Sequence, residues 1–460
     1  MYEADQYLDT AKRIHFIGIG GSGTVPIVEI LHTLGGFTIT GSDNNETETV
    51  HRVMDLGIPV ALCQSADNIG DVDMVVYSGA ISPENPELKE AVRRGIPTFE
   101  RSKMLGALSR KFGKTVGISG THGKTTVTSM LTQILLGCGM DPSAVIGGKL
   151  RLTDTYGVTG KSDIFVCESC EYHDTFLELT PFISVILNVD EDHMEYFHTL
   201  DNMKKSFVSF ADRAPITLYN GDDANTLDVM RQTTKTFGVT FGLQETNDYY
   251  ASDVCVVDGA FSRFKVMHSG KCLGELTLRV PGAHNVLNAL AALAAADLLG
   301  ADMRKAIEQA AAFEGAGRRF QVMGVFNGVT IVDDYAHHPA ELEATLTAAK
   351  EMDFKKVIAV FQPFTFSRTK MHLQEFIDVL KIPDKALLTP IMGGREENTY
   401  NVYSEDIASK VPGSEIWPDF RSISDRAEAL AEPGDLIITL GCGDINKAAH
   451  MMVKDYQSKS

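Results

Sequence analysis

The sequence predicts an α/β protein with three domains, each built on a mostly parallel sheet. In two places a short apolar strand runs into a glycine-rich loop and then into an apolar helix, first near residue 18 and again near residue 120. Beyond residue 317, further strands each end in a polar cluster, as strands of ligand-binding α/β sheets do. A chain of 460 residues is also too long for one ordinary domain. We therefore predict domains at 1–108, 109–316 and 317–460.

Composition and charge restrict the classes of function. The formal net charge is -19, which disfavours a nucleic-acid partner because phosphate backbones attract basic surfaces. Seven cysteines, odd in number and unevenly spaced, are typical of reduced thiols. The first residues are acidic, and no apolar run reaches the ~18 residues that a membrane span needs. We expect a cytoplasmic protein without membrane insertion.

The first glycine-rich loop has the pattern of a nucleotide diphosphate site. It reads Gly18-Ile-Gly-Gly-Ser-Gly23 and lies between a strand predicted at 12–17 and an apolar helix. Glycines let a diphosphate approach a helix N-terminus closely, and Asp43, at the end of the next strand, is placed to bind a ribose. This indicates a Rossmann-like domain. The pattern does not separate NAD from a UDP-sugar, and a glycine turn that only packs a helix on a sheet remains an alternative.

The second loop has the features of a triphosphate grip. Residues 120–126 read Gly-Thr-His-Gly-Lys-Thr-Thr, so backbone N–H groups can surround phosphate oxygens, Lys124 adds a positive charge and the Thr125 hydroxyl can bind Mg²⁺. Ile118 occupies the position at which the usual pattern has its first glycine. A simple tight turn is the alternative. The preceding strand and the Lys-Thr pair at the helix start favour ATP binding, in a central domain like that of phosphate-loop ATPases.

Two strand ends beyond the second loop supply candidate metal ligands. Glu168 ends a buried apolar strand, and a carboxylate beyond the carboxyl end of a strand suits Mg²⁺. His193 follows the strand predicted at 183–187 and is a second metal ligand, a group that steadies a developing negative charge, or a surface-loop histidine. Cys167 and Cys170 have the spacing of a redox or zinc pair. No second pair follows, so structural thiols are favoured.

Polar residues in the rest of the chain extend the candidate site. Asn285 and Asn288 lie on one face of a helix start, where they either bond a base edge or cap the helix. Strands predicted at 329–332, 356–361 and 436–440 each end in a polar cluster at the same edge of a third, Rossmann-like α/β domain. We expect the loops of this domain to close over the phosphate loop.

The residues alone leave two classes of function open. One is an ATP-dependent ligase with a sugar-nucleotide domain, an ATP domain and a third domain that brings a nucleophile. The other is a nucleotide-gated regulatory protein, in which the phosphate loop drives domain closure without covalent chemistry. A dehydrogenase fused to an ATPase is also conceivable. The polar clusters favour the ligase, because a switch has no need of His337, His338 and Arg368 opposite the phosphate loop.

Taken together, the motifs resemble the Mur ligases of bacterial peptidoglycan synthesis. The resemblance extends over nearly the whole chain and depends on the order and spacing of seven motifs. These are Gly18-Ile-Gly-Gly-Ser-Gly-Thr24, Gly120-Thr-His-Gly-Lys-Thr-Thr126, Asn188 to His193, His284-Asn285, Arg318-Arg-Phe320, Asp333-Asp-Tyr-Ala-His-His-Pro339 and Gln362-Pro to Ser367-Arg-Thr369. Within the family, the pattern is most similar to the members that join L-alanine to UDP-N-acetylmuramate.

The resemblance implies that ATP and Mg²⁺ support amide formation between the lactyl carboxylate of UDP-N-acetylmuramate and the amine of L-alanine, through an acyl phosphate. It implies catalytic roles for Lys124, His193 and Arg319, and metal binding by Thr125, Glu168 and His193. The implied nucleotide-binding residues are Gly120, Thr121, His122, Gly123, Lys124, Thr125, Thr126, Asn285 and Asp334. The implied substrate-binding residues are Gly20, Ser22, Gly23, Asp43 and Ser78 for the UDP group, and Tyr335, His337 and Arg368 for the amino acid.

Some positions depart from the family pattern. Phe364 and Phe366 stand where His and Tyr are common, so glycine and L-serine remain alternative amino acids, since one methyl group separates substrates by only roughly 10- to 200-fold. No lysine after His193 matches the carbamylated lysine that other members carry at the metal site. Glu171 lies close enough to Glu168 in the sequence to be confused with it. We expect a monomer or a weak homodimer.

Overall fold

The structure, a computed structural model, describes residues 3–257, 261–394 and 396–459. Within these ranges the chain forms three sheets, of five, ten and six strands, with helices between many of the successive strands. Most strand pairs are parallel, as the repeated strand-loop-helix pattern predicts. In the described part of the chain, no helix combines the length and the apolar character that crossing a membrane requires.

The first sheet is parallel throughout and carries the first glycine-rich loop. Its strands are β1 (Arg13–Ile17), β2 (Thr38–Ser42), β3 (Val60–Ala61), β4 (Met74–Tyr77) and β5 (Thr98–Glu100). Its helices are α1 (Glu3–Thr10), α2 (Val25–Leu34), α3 (Glu48–Asp55), α4 (Pro86–Arg93) and α5 (Arg101–Ser109). The strand order β3-β2-β1-β4-β5 places a topological switch point between β1 and β4, where open α/β sheets bind their ligands.

The second sheet carries the phosphate loop between its strand β6 and helix α6. Its strands are β6 (Lys114–Ser119), β7 (Ser143–Leu150), β8 (Thr155–Val158), β9 (Ile164–Glu168), β10 (Ile183–Ile186), β11 (Ile216–Asn220), β12 (Phe237–Gly242), β13 (Tyr249–Val257), β14 (Phe261–His268) and β15 (Lys271–Pro281). The helices that follow in the chain are α6 (Lys124–Gly137), α7 (Met194–Phe197), α8 (Leu200–Ala211), α9 (Ala224–Gln232), α10 (His284–Leu298) and α11 (Met303–Ala311). The strand order is β15-β14-β13-β12-β11-β10-β6-β9-β7-β8, so β6 lies inside the sheet and its residues from Thr115 onward are buried.

The third sheet has the order β16-β17-β21-β18-β19-β20, with only β16 and β17 antiparallel. Its strands are β16 (Gln321–Phe326), β17 (Val329–Asp334), β18 (Val357–Phe361), β19 (Lys385–Leu388), β20 (Glu415–Ile416) and β21 (Leu436–Leu440). Its helices are α12 (Pro339–Glu351), α13 (Phe366–Met371), α14 (Leu373–Val379), α15 (Ser404–Ala408), α16 (Phe420–Leu430) and α17 (Asn446–Lys459). Strands β18 and β21 are wholly buried, which explains why their sequences are apolar except for Thr439.

Contacts between residues divide the chain into two compact units. The first consists of residues up to Ser252, Val266–Gly274 and Leu287–Ala310, and the second consists of Asp253–Lys265, Glu275–Val286 and the residues from Ala311 onward. The boundary between these units passes through strands β13, β14 and β15 and so does not coincide with the limits of the three sheets. The boundaries expected after residues 108 and 316 therefore stay predictions.

A buried carboxylate connects the elements beneath the binding edge of the first sheet. Glu87, in α4, is fully buried and accepts hydrogen bonds from the Ser42 hydroxyl at 2.5 Å, from the Ser65 N–H at 3.3 Å and from the Asn68 amide. The His15 Nε2 lies 3.6 Å from the same carboxylate. Burial opposes ionisation, but these partners together hold the pKa of Glu87 below its ordinary value. Glu87 therefore stays charged and ties α4 to β1, β2 and the loop after β3.

We expect Glu87→Ala to lower the free energy of unfolding by about 3 kcal/mol, because it leaves buried donors without their acceptor. The control is Glu84→Ala, two positions before α4, whose carboxylate is 80% exposed and should contribute less than about 0.5 kcal/mol. Urea denaturation measures both variants. Equal losses of stability would contradict the structural role of the buried carboxylate.

Candidate active site

A cavity of about 570 Å³ opens at the carboxyl ends of the strands of the first sheet. Gly20, Asp43 and Ser78, three of the residues predicted to bind the UDP group, line this cavity together with polar side chains from the loops after β2, β3 and β4. Small-molecule sites typically occupy roughly 300–1,000 Å³. The cavity is therefore large enough for a nucleotide.

The glycine-rich loop leaves room for a ligand because side chains are excluded from it. Gly18 has a φ of +75°, in the left-handed region that favours glycine. At Gly20, a Cβ would lie 2.3 Å from Cγ2 of Val50, so no side chain fits. The Gly20 N–H donates to Oδ2 of Asp43 at 3.0 Å. Asp43 therefore also fastens the end of β2 to the loop.

An arginine that the sequence interpretation missed lies against the same loop. Ser22 and Gly23, also predicted to bind the UDP group, are not among the residues that line the cavity. Gly23 faces Arg101, and a Cβ placed at Gly23 would lie 3.0 Å from Nη1 of that arginine. Arg101 begins α5, directly after β5. Its guanidinium makes no ion pair or hydrogen bond with the residues that the structure describes. Its position at the carboxyl end of a strand of the same sheet is the signal that could have identified it.

The phosphate loop has a backbone that only glycine tolerates at two positions. Gly120 has a φ of +138° and Gly123 a φ of +87°. A Cβ at Gly120 would lie 2.9 Å from Cβ of Leu187, and a Cβ at Gly123 would lie 2.6 Å from Oδ1 of Asn288. The loop is thus packed closely against the end of β10 and the start of α10, and both predicted glycines are required by shape.

The loop after β10 holds the phosphate loop in place through hydrogen bonds. Asn188 accepts from the His122 N–H at 2.8 Å and donates to the His122 carbonyl at 3.1 Å. The Thr121 hydroxyl accepts from the Asp190 N–H at 2.9 Å. Thr126 follows in the first turn of α6 and is partly exposed. The loop is therefore preorganised by residues of the motif at 188–193.

The Lys124 ammonium is the central charge of the phosphate loop. It is mostly buried and lies 3.0 Å from both carboxylate oxygens of Glu171, which is fully buried. It also donates to the Thr121 carbonyl at 3.1 Å and to the Gly120 carbonyl. Burial alone would lower the pKa of Lys124, but the charge and hydrogen bonds of Glu171 act together with further negative neighbours, Glu168 among them, and the pKa is raised. Lys124 is therefore a permanent cation.

Thr125 and Glu168 form a pair of oxygen ligands beside this cation. The Thr125 hydroxyl lies 3.0 and 3.1 Å from the two carboxylate oxygens of Glu168. The Gly147 N–H, on β7, donates to the same carboxylate at 2.9 Å and fixes its orientation. Hydroxyl and carboxylate oxygens are the ligands that Mg²⁺ prefers. The two residues therefore fit a magnesium ion.

His193 belongs to a second group of possible ligands. Its ring nitrogen and carboxylate oxygens of Glu171 and Asp192 all lie within 4.8 Å of one another. The backbone of His193 is left-handed, with a φ of +55°, and the centre of its ring lies 4.4 Å from that of Tyr172, with the two rings tilted by 32°. The three predicted metal ligands therefore fall into two groups, Thr125 with Glu168 and His193 with Glu171. The role of His193 in metal binding stays a prediction.

In the other compact unit, two arginines flank Tyr335. The guanidinium carbons of Arg318 and Arg319 lie 5.0 and 5.2 Å from the centre of the Tyr335 ring, within reach of cation–π attraction. The Nε of Arg318 donates to Asp333 at 2.8 Å, and its other nitrogens donate to two backbone carbonyls. Arg319 lies 4.0 Å from a carboxylate oxygen of Glu341. Arg318 is fixed by these contacts, and the catalytic role of Arg319 stays a prediction.

The predicted amino-acid residues lie on two neighbouring loops of the third sheet. The Nδ1 of His337 lies 3.1 Å from the carbonyl of Tyr335, after β17, and 3.2 Å from Glu341. Arg368 lies in α13, after β18, and its backbone N–H donates to the Thr365 hydroxyl at 3.4 Å. Strands β17 and β18 both pair with β21 in parallel, so these loops share one edge of the sheet.

The two phenylalanines that depart from the family pattern pack against a glycine turn. A Cβ at Gly394 would lie 3.2 Å from the Phe364 ring, and a Cβ at Gly393 would lie 2.4 Å from the Phe366 ring. Phe364 also forms a backbone bridge with Met392. The rings therefore join the loop after β18 to the loop after β19.

Asp334 and Asn285, predicted to bind the nucleotide, each make a backbone contact in this structure. The Asp334 carboxylate is 5% exposed and accepts from the Phe320 N–H at 2.6 Å and the Ala336 N–H at 2.7 Å. Burial raises the pKa of Asp334 to about 6, although Arg319 and the two N–H donors act in the opposite direction. The Asn285 amide donates to the Pro281 carbonyl at 2.7 Å. Their nucleotide contacts stay predictions.

Comparison with known proteins shows which family shares this arrangement. Three models match the chain: "Mur ligase family, catalytic domain" at residues 13–113, "Mur ligase middle domain" at 118–296 and "Mur ligase, glutamate ligase domain" at 318–443. The UDP-N-acetylmuramate–L-alanine ligase of Caldanaerobacter subterraneus subsp. tengcongensis is 41% identical over 455 residues, which cover 97% of this chain and 98% of that protein. The chain belongs to the Mur ligase family.

Two further comparisons agree for this Mur ligase. The UDP-N-acetylmuramate–L-alanine ligase of Acetivibrio thermocellus is 38% identical, with 97% of this chain and 96% of that protein covered. The crystal structure of the UDP-N-acetylmuramate–alanine ligase of Thermotoga maritima matches with a TM-score of 0.83 and 28% identity, over 98% of this chain and 100% of that one. The family resemblance and the three-domain α/β class predicted from the sequence are confirmed.

Cys167 and Cys170 of this Mur ligase have the character of structural thiols. Burial raises the pKa of both Cys167 and Cys170 to about 12. A thiol with such a pKa is protonated at neutral pH and is a poor nucleophile or metal ligand. The metal-ligand group around His193 contains neither of them.

Replacing Asp334 by Asn should change how the stability of this Mur ligase depends on pH. The folded-state pKa is about 6 and the ordinary value is 3.8, so between these values the folded protein binds a proton at Asp334 that the unfolded chain does not. This group therefore makes the free energy of unfolding fall by up to about 3 kcal/mol as pH rises from about 4 to about 6. Asp334→Asn should lack that fall. Urea denaturation from about pH 4 to about pH 7 measures it, and parallel curves would contradict the effect of burial.

Proposed function

We propose that this Mur ligase uses ATP to join L-alanine to the lactyl carboxylate of UDP-N-acetylmuramate. The observation that carries the proposal is that one compact unit contains both a phosphate loop with a charged, buried lysine and a separate glycine-lined cavity of nucleotide size. An enzyme that consumes ATP and modifies a sugar nucleotide needs two such sites. The relatives of similar length that act on UDP-N-acetylmuramate and L-alanine support these substrates.

The reaction proceeds in two steps. The lactyl carboxylate attacks the γ-phosphorus of ATP, the bond to the β-phosphate oxygen breaks, and an acyl phosphate and ADP form. The neutral amine of L-alanine then attacks the acyl carbon and forms a tetrahedral intermediate. The amine loses its proton, the carbon–oxygen bond to phosphate breaks, and the amide and inorganic phosphate leave. Phosphoryl transfer of this kind depends on positioning and charge stabilisation.

The residues of the phosphate loop act on the first step. The backbone N–H groups of residues 120–126 surround the phosphates, and Lys124 turns its ammonium from Glu171 to the transferred phosphoryl group. Thr125 and Glu168 would hold Mg²⁺, which neutralises charge on the β- and γ-phosphates when it is bound.

The residues of the other compact unit act on the amino acid and the acyl phosphate. Arg319 would stabilise negative charge on the phosphoryl group. Tyr335, His337 and Arg368 would form the amino-acid pocket, with the Arg368 guanidinium paired to the carboxylate of L-alanine, since a guanidinium matches a carboxylate in two parallel hydrogen bonds. We place the enzyme in the cytoplasm as a monomer or weak homodimer.

Phosphate release from ATP and Mg²⁺ tests the proposal. The assay includes or omits UDP-N-acetylmuramate and compares L-alanine, glycine, L-serine and D-glutamate. We expect release only with the sugar nucleotide, and fastest with L-alanine. If phosphate release is fastest with glycine or L-serine, that amino acid is the substrate in place of L-alanine and the proposed reaction type is unchanged. Release that is indifferent to the sugar nucleotide would instead support a nucleotide-gated regulatory protein.

Arg101→Ala should weaken use of the sugar nucleotide more than it slows chemistry. Arg101 lies over Gly23, and the alanine variant would lack its charge-assisted contact to the diphosphate. We therefore expect KM for UDP-N-acetylmuramate to rise about tenfold with little change in kcat. Lys103→Ala removes an exposed cation from the same helix and is the matched control. An equal rise of KM in both variants would show that only the overall charge matters.

A further inference from the structure

Three loops follow one another along the first sheet in the order of the parts of a nucleoside diphosphate. The glycine-rich loop after β1 suits the diphosphate and Asp43, after β2, suits the ribose. Strand β3 lies beside β2, on the side away from β1. Strand β3 ends at Ala61, and Gln64 follows it and lines the same cavity. A base attached to a ribose at Asp43 therefore reaches the loop that contains Gln64.

Two asparagines fix the orientation of the Gln64 side chain. Asn44 Oδ1 accepts from the Gln64 backbone N–H at 3.1 Å, and Asn85 Oδ1 accepts from the N–H groups of Glu87 and Leu88 at 3.0 and 3.1 Å. A backbone N–H can only donate, so these contacts assign the oxygen and nitrogen of each asparagine. Their NH₂ groups then donate to Gln64 Oε1, at 3.0 Å from Asn44 and 2.7 Å from Asn85.

This network leaves Gln64 with only donors to offer a ligand. Its Oε1 is shared by two NH₂ groups, and its Nε2 makes no hydrogen bond with the residues that the structure describes. Turning the amide over would bring its NH₂ against those of Asn44 and Asn85, so the orientation is not adjustable. All three amide side chains line the cavity.

We propose that Gln64 selects the base of the bound nucleotide by donating from Nε2 to O4 of uracil. The inference rests on the proposed function and adds a specificity-determining residue to its sugar-nucleotide site. Uracil has a carbonyl acceptor at the position where cytosine has an amino donor. A group that can only donate forms a hydrogen bond with the uracil carbonyl and is repelled by the cytosine amino group. Gln64 therefore favours uridine over cytidine nucleotides.

Calorimetric binding of UDP and CDP to the full chain tests this inference. Wild type should bind UDP about tenfold more tightly than CDP, the effect of about one hydrogen bond. Gln64→Glu keeps an acceptor for both asparagines and replaces only the NH₂ by oxygen, so the preference should disappear or reverse. Asn45→Asp adds the same charge to the cavity wall and is the matched control. This control variant should weaken the binding of UDP and of CDP by the same factor, so that the ratio of their affinities stays unchanged.

The outcomes separate this inference from the function on which it rests. Equal binding of UDP and CDP by wild type, which needs no variant to fold, would overturn base selection by Gln64 and leave the ligase intact. A UDP to CDP ratio unchanged in Gln64→Glu would overturn it as well. Failure of wild type to bind UDP at all would overturn the sugar-nucleotide site and this inference together. Loss of the ratio in Gln64→Glu alone would support it.

Discussion

The buried charge of Lys124 is the constraint on which the catalytic part of the structure depends. An ammonium removed from water is unfavourable by several kcal/mol unless an anion lies beside it, and the fully buried carboxylate of Glu171 supplies that anion at 3.0 Å. An oxygen of the same carboxylate lies within 4.8 Å of a carboxylate oxygen of Asp192 and of a ring nitrogen of His193. Lys124 and the second group of possible metal ligands therefore share one carboxylate. The charge balance of the phosphate loop and that of this neighbouring group are linked through Glu171.

The sheets explain why the candidate sites lie where they do. In each of the three, parallel strands end at one edge, and the loops at that edge carry the glycines, carboxylates and guanidinium groups. These loops are held by hydrogen bonds among themselves, as Asn188 holds His122 and Asp334 holds Phe320. Sites of this kind are positioned by the framework before a ligand arrives, which reduces the entropy lost on binding.

Much of the fold follows from the sequence because it depends on local patterns. The strands predicted at 12–17, 329–332 and 436–440 are present at Arg13–Ile17, Val329–Asp334 and Leu436–Leu440. Both glycine-rich loops also lie between a strand and a helix, since their spacing is encoded within one short segment.

The pairings within the site do not follow from local sequence. Arg101 meets Gly23, and Glu171 rather than Glu168 meets Lys124, because packing of distant segments decides which charged groups meet. The two hydrogen bonds that Asp334 accepts from backbone N–H groups are likewise revealed only by the folded loops. Phe366 and Gly393 illustrate what such packing means for substitution. A Cβ at Gly393 would lie 2.4 Å from the Phe366 ring and 2.8 Å from the Glu396 carbonyl oxygen, so a side chain can enter the glycine turn only if both the ring and the backbone move. Phe366 begins α13 and Gly393 lies in the loop after β19, so the size of the side chain at one position restricts the other across two segments that are distant in the sequence.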